Sequence, residues 1–314
     1  MSGQTQASLP DKLSLMIVPS PYADLLDLIP VTARTLTVCG SRSAFWEYGD
    51  PESATTIVMV HGFRGDHHGL EPVVAHLPGV RIISPDLPGF GESEPLVGRR
   101  HDLDGYAFWL AAFLKALAPT GRVVILGHSF GSIVVAAALA GGMPADDVVL
   151  VNPIAAPALS GPRGVLTRLA VFYYWAAATL PERLGFALLC NRAIVRIMSV
   201  TMTKTRNHGL RRWIHNQHDR FFSAFSDRTV VLDAFRASVG HDVSEFAARI
   251  PQRTVLIAAE KDDITPVAAQ YRLQTLFADA SLAVIQDVGH LIHYEMPSPA
   301  AAQVRTFLAL AETT

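Results

Sequence analysis

The sequence predicts an α/β fold: a mostly parallel sheet covered by helices on both faces, with a helical cap inserted late in the chain. Three observations carry this. Apolar runs near 55–60, 80–84, 123–126, 147–151 and 254–259 alternate with helical stretches, the pattern of parallel strands buried on both faces. One run, 123–126, leads through Gly127-His128-Ser129-Phe130-Gly131 into an alanine-rich apolar helix over 132–140. Strand, sharp turn and helix are the context in which Gly-x-Ser-x-Gly presents a nucleophile. From Pro153 to Ile250 no strand pair is evident, and roughly 100 residues between two strands of one sheet form a unit rather than a loop.

Composition bounds the rest. Of 314 residues, 50% are hydrophobic and 17% charged, with a net charge of -2. That supplies a large core and argues against a nucleic-acid partner. The two cysteines, Cys39 and Cys190, are far apart in no metal-type spacing, and read as buried free thiols of a reducing compartment. The first residues lack a basic region followed by a long apolar run, and the closest approach to a spanning segment, Leu169–Leu180, is too short. A cytoplasmic protein without stable membrane insertion is expected; nothing opposes a homodimer.

In chain order, residues 1–33 are broken by Pro10, Pro19, Pro21 and Pro30 and read as a surface arm with a short helix over 22–29. Residues 34–39 and 44–48 read as an antiparallel edge hairpin. The strand over 55–60 runs into His61-Gly62-Phe63, with helical sequence over 69–76. The strand over 80–84 runs into Asp86-Leu87-Pro88-Gly89-Phe90-Gly91-Glu92-Ser93, a loop stiffened by prolines and bent at glycines. An amphipathic helix over 103–117 precedes the serine turn, and a strand over 147–152 follows it. Helices are expected near 164–180, 183–202, 208–225 and 228–238. The sheet resumes at 254–259, Pro266 opens a helix, a last strand covers 282–285, and a helix over 297–310 closes the chain. The core is thus 34–152 with 251–314, and the insertion 153–250.

Acyl transfer needs a nucleophile, a base, an acid that orients the base, and donors for an oxyanion. Ser129, Asp262 and His290 each follow a strand, so each emerges from the same sheet edge, in the order Ser, Asp, His of the nucleophile-elbow fold. Asp262 and Asp263 compete for the orienting role; Asp262 is preferred for its place four residues before Pro266, and Asn152 is a weaker third. The same template puts the oxyanion hole at the backbone N–H groups of Phe130 and Phe63, whose rings either line the pocket or pack in the core. His61 and His128 read as packing or hydrogen-bonding residues, His67-His68 as a surface loop rather than a metal site, and His293 as facing cap or solvent.

These motifs, with Gly289-His290 and Glu295-Met296-Pro297, resemble the α/β-hydrolase family over about residues 34–312, specifically its cap-bearing bacterial serine hydrolases of esterase and lipase type. The resemblance implies an acid after the strand preceding the last, which supports Asp262, and neither metal nor organic cofactor. Ser129 excludes the dehalogenase and epoxide hydrolase branches, which carry aspartate there. Ser132 departs from the second glycine of many members, as does Ala259 before Glu260.

The leading expectation is a serine hydrolase acting on a carboxylic ester, or related acyl bond, of a small hydrophobic acyl or aromatic substrate. The alternatives are a carbon–carbon bond hydrolase of meta-cleavage products, which a basic face of Arg192, Arg196, Arg211 and Arg212 would favour, and a slow ligand-binding receptor of the same fold. The aromatic run Phe172-Tyr173-Tyr174-Trp175 is expected to face the sheet and line the pocket, with docking on a lipid surface as the alternative.

Overall fold

A computed structural model describes residues 17–156 and 164–312; the first 16 residues of the expected arm and 157–163 of the insertion lie outside the described residues. The strands are β1 (Val31–Val38), β2 (Ser41–Tyr48), β3 (Thr55–Val60), β4 (Arg81–Pro85), β5 (Arg122–His128), β6 (Asp147–Val151), β7 (Arg253–Ala259) and β8 (Ala280–Ile285). They form one sheet in the order β1-β2-β4-β3-β5-β6-β7-β8. β2 is antiparallel to both β1 and β4, and all other pairings are parallel.

Strand periodicity divides the core in two. Val58, Ile125, Val148 and Leu150 pack on one face, and Ile57, Val124, Leu126 and Val149 on the other, because successive side chains point to opposite sides. The helices before the insertion are α1 (Ala23–Leu26), α2 (Glu71–Val74), α3 (Leu103–Leu117) and α4 (Phe130–Ala140). α3 starts where the Asp102 carboxylate accepts the Gly105 N–H and stops at Ala118 in the left-handed region, a cap at each end.

Between β6 and β7 lie α5 (Gly164–Thr179), α6 (Glu182–Leu189), α7 (Arg192–Met202), α8 (His208–Phe221) and α9 (Arg228–Gly240). Buried residues of α5, α6 and α9, among them Tyr174, Leu189 and Phe235, join the core on the α3–α4 side of the sheet. Gly91 N–H donates to Ala224 O at 2.8 Å and Ser226 N–H to Gly89 O at 2.9 Å, so the 86–93 loop is stitched to the turn between α8 and α9. The chain closes through α10 (Val267–Gln274), α11 (Ile292–Glu295) and α12 (Pro297–Glu312).

Several expectations are corrected. The edge hairpin is longer than 34–39 and 44–48, and the expected helix over 183–202 is two, because the Asn191 side chain accepts from Ala193 and Ile194 and starts a new helix. Cys39 is exposed and Cys190 half-buried, and both are free. The aromatic run divides: Tyr174 is buried and Tyr173 partly so, whereas Phe172 and Trp175 are 61% and 58% exposed.

Candidate active site

The serine turn shows why its two glycines are there. A Cβ on Gly127 would stand 2.7 Å from Gly131 O, and one on Gly131 only 2.2 Å from Val60 O. Ser129 between them has φ 53° and ψ -120°, a conformation that costs a non-glycine residue on the order of 1–3 kcal/mol. The surroundings hold it there. Ser129 N–H donates to Val151 O at 3.1 Å, and the Ser132 hydroxyl donates to Ser129 O while accepting from Ile154 N–H. Ser132, the departure noted in the sequence, therefore braces the turn.

The structure brings Ser129, His290 and Asp262 together. His290 Nε2 lies 2.8 Å from Ser129 Oγ, and His290 Nδ1 lies 2.8 Å from Asp262 Oδ2. A carboxylate only accepts, so Nδ1 carries the proton and Nε2 is the acceptor aimed at the serine hydroxyl. Asp262 is oriented in turn, because its Oδ1 accepts from Ile264 N–H at 2.7 Å and Thr265 N–H at 3.1 Å. Asp263 points elsewhere and pairs with Lys204, just beyond α7. Lys204 also explains the glycine before His290: a Cβ on Gly289 would meet its Cγ at 2.7 Å.

Asn152, weighed only as an acid, has a different place. Its Nδ2 donates to His290 O and its Oδ1 accepts from Ala259 N–H, both at 2.8 Å. It ties the ends of β6 and β7 to the histidine loop, at φ 43°, a region asparagine tolerates better than most residues. An asparagine ending an apolar strand is the signal for it in the sequence.

Phe130 is the first residue of α4, where a backbone N–H has no carbonyl one turn earlier in its helix. Phe63 follows β3, the strand paired with β5. The two rings meet edge to face at 6.3 Å, but their roles differ. Phe130 is core, packed on Tyr106, while Phe63 reaches the cavity above Ser129.

That cavity holds about 200 Å³. Ser129, His290, Gly62 and Phe63 form its floor, Met198 and Met202 of α7 with His218 and Phe222 of the α8 end form its roof, and Ile264, Leu291 and Tyr294 its flank. Among the described residues, no lysine or arginine lines it. The four arginines proposed as a basic face stand outside: Arg196 pairs with Asp219, Arg211 donates to Thr205 O, and Arg192 and Arg212 are exposed. The roof residues were not identified from sequence, although Met198 and Met202 stand four apart on one helix face.

His61, His67, His128 and His293 are buried, which corrects two expectations. His67 is no surface residue: its ring stacks on Trp46 at 3.2 Å and bonds Asp86 Oδ1 at 2.9 Å. His293 is buried against His128 at 4.1 Å and reaches the cavity wall. His61 accepts from Leu87 N–H through Nε2 and donates from Nδ1 to Gly62 O, as a hydrogen-bonding residue should. Burial, then the neighbouring His290, pushes His128 down to about 3. Burial, then His215 and Arg196, does the same for His218, and burial lowers His61 and His293.

A stability prediction follows. These imidazoles are neutral when folded but bind a proton below about pH 6.5 when unfolded. The unfolded state therefore takes up more protons as pH falls from 6.5 toward 3, and stability drops by on the order of 1 kcal/mol per pH unit for each of His128 and His218. Urea midpoints should fall from pH 6.5 to pH 5, with a shallower slope in His128→Gln; parallel slopes in the two proteins would contradict this assignment.

With the site described, comparison places the chain among known proteins. It is 22% identical over 289 residues to Lipase 1 of Psychrobacter immobilis, covering 89% of this chain and 84% of that one. It is 26% identical over 287 residues to a 2-hydroxy-6-oxononadienedioate/2-hydroxy-6-oxononatrienedioate hydrolase of Pseudomonas putida, covering 82% and 88%. An esterase of Exiguobacterium antarcticum superposes with a TM-score of 0.72 at 17% identity, over 88% of this chain and all of that one; this likeness concerns the fold. The pattern that defines the alpha/beta hydrolase family matches residues 57–304. With that match over most of its length, an eight-stranded sheet and a serine on the turn after β5, this chain belongs to the alpha/beta hydrolase family.

Proposed function

We propose that this protein is a serine hydrolase that cleaves a carboxylic ester, or a related acyl bond, of a hydrophobic substrate through an acyl-Ser129 intermediate. The observation that carries the reading is the unbroken hydrogen-bonded line Asp262–His290–Ser129 at the floor of a largely apolar cavity. Ser129 Oγ attacks the acyl carbon as His290 Nε2 takes its proton. The tetrahedral oxyanion is received by the N–H groups of Phe63 and Phe130; losing one such donor costs about 3–4 kcal/mol. His290 then returns the proton to the leaving alcohol, and water attacks the acyl-enzyme with His290 again as base. Asp262 keeps the proton on Nδ1 and stabilises the imidazolium. No step calls for a cofactor or metal.

Helices α5–α9 act as the cap in this reading, with Met198, Met202 and Phe222 holding the acyl or aromatic group. The absence of arginine and lysine from the described cavity lining favours an uncharged substrate over the dicarboxylate of a carbon–carbon hydrolase. Free thiols at Cys39 and Cys190 fit a cytoplasmic site of action.

A panel of p-nitrophenyl esters from acetate to palmitate tests both chemistry and pocket. Each methylene buried under the roof adds about 0.8 kcal/mol, so kcat/KM should climb about fourfold per carbon. The cavity is small beside the roughly 300–1,000 Å³ of common ligand pockets, so the optimum should fall at butanoate or hexanoate and decline well before palmitate. Absence of turnover on every ester by folded protein would defeat the proposal.

A further inference from the structure

The insertion exposes apolar surface that a packed lid has no reason to expose. Eight of the seventeen large exposed hydrophobic residues among the described residues lie within residues 169–200. Phe172 and Trp175 stack on each other at 5.7 Å, facing outward, and Leu169, Leu184, Ile197 and Val200 are also exposed. On α5 the exposed positions 168, 172, 175 and 179 recur at helical spacing, with Tyr174 and Ala177 on the buried side.

The charge around this surface is one-sided. Residues 164–206 carry Arg168, Arg183, Arg192, Arg196, Lys204 and Arg206 against the single acid Glu182, in a chain whose net charge is -2. Arg168, Arg183, Arg192 and Arg206 are exposed beside the apolar residues. Aromatic and aliphatic side chains fringed by arginine are the composition of a helix that lies in a lipid interface.

The stretch Glu182–Met202 has 21 residues, and its most apolar window has a mean hydropathy of 1.4 and is 22% buried. It does not run as one rod, because Cys190 and Asn191 separate α6 from α7. Eight and eleven residues of helix reach about 12 and 16 Å, well short of the roughly 30 Å of a bilayer core. The pair is suited to lie on a membrane, not to cross it.

We propose that α5–α7 form a docking surface for an anionic lipid bilayer, with Phe172 and Trp175 as apolar anchors and the flanking arginines meeting the headgroups. α7 links the surface to the site. Met198 and Met202 look into the cavity from one face of α7, while Ile197 and Val200 lie on the opposite face. A docked molecule therefore has the cavity roof at the lipid boundary. This goes beyond the proposed reaction and does not depend on it.

The test is co-sedimentation of the full-length protein with ether-linked phosphatidylglycerol vesicles, which no esterase consumes, and with ether-linked phosphatidylcholine vesicles. Binding is expected to phosphatidylglycerol and not to phosphatidylcholine, to weaken as salt rises, and to shift Trp fluorescence to the blue. Phe172→Ser with Trp175→Ser should cut binding at least tenfold while leaving turnover of soluble esters unchanged, as should Arg168→Glu with Arg183→Glu. No partition at any anionic fraction, equal binding to neutral vesicles, or full binding by the serine double variant would overturn the proposal. So would a lipid-free dimer that the serine double variant abolishes, because a second copy would then be the occupant.

Discussion

Ser129→Ala should lower kcat by roughly 10⁶-fold, and Asp262→Asn by roughly 10⁴-fold. The two losses differ for a physical reason. Without Ser129 Oγ there is no atom to form the acyl-enzyme. Asparagine at 262 keeps a hydrogen bond to His290 but can donate its own N–H to Nδ1. That favours the tautomer with the proton on Nε2, where it cannot accept from Ser129. Both variants should keep their fold, since alanine inherits the same φ of 53° as the serine and asparagine fills the space of the carboxylate. The residues act as one unit, so Ser129→Ala with His290→Ala should be no slower than Ser129→Ala alone. Steady-state kinetics on butanoate ester with purified variants measures all three. A double variant slower by the product of the single effects would mean that the residues contribute independently, against the hydrogen-bonded line seen in the structure.

Arg64→Met is expected to carry the largest stability loss. Arg64 follows Phe63, has φ 59°, and is only 1% exposed. Its guanidinium donates to Phe222 O at 2.9 Å, Leu189 O at 2.7 Å and the Tyr174 hydroxyl at 3.3 Å. It also lies 4.8 Å from the Phe222 ring. The charge is thus met by the ends of α6 and α8, where helix carbonyls lack partners and the dipole is negative. Methionine fills the volume but removes the donor to Phe222 O and leaves Leu189 O with only the Tyr173 hydroxyl at 3.2 Å, and an unmet buried carbonyl costs about 1–3 kcal/mol. Thermal midpoints should fall by roughly 2–4 °C for every kcal/mol lost. Arg64→Lys should lie between, because an ammonium has its three donors on one atom and cannot span the acceptors that the guanidinium fork reaches through Nε, Nη1 and Nη2. Turnover should fall as well, since the Phe63 amide sits next to the residue that pins its loop to the insertion. Unchanged melting of Arg64→Met would show that the guanidinium is not the clasp between loop and insertion.

The two losses probe parts of the protein that differed in how plainly the sequence announced them. β3 is buried at every position and apolar over its last four because both its faces are covered, and its observed limits, 55–60, are those read from sequence. α3 is bounded by Asp102 and a left-handed Ala118, so its span of 103–117 was legible from local chemistry. The Ser129 turn was legible too, because glycine at 127 and 131 is required by backbone clashes. Arg64 was not: its four acceptors lie 110 to 159 residues away, and nothing local marks an arginine as buried. Asn152 escaped for the same reason, reaching 107 and 138 residues ahead. His67 looked like surface because Trp46 and Asp86, which bury it, come from other strands and loops. Hydropathy alone made the 172–175 run look buried, whereas only part of it is covered, by Tyr174 stacked on Phe235 of α9 at 3.8 Å and by the Tyr173 hydroxyl on the last carbonyls of α6.

The central claim is that Ser129 becomes covalently acylated, and trapping tests it most directly. Wild-type protein and Ser129→Ala would each be treated with a fluorophosphonate ester, then digested and sequenced by mass spectrometry. The proposed mechanism predicts one equivalent of adduct, on Ser129 alone, with matching loss of esterase activity and no adduct in Ser129→Ala. Stoichiometric labelling of another residue with activity lost in step, or undiminished ester turnover in Ser129→Ala, would contradict it.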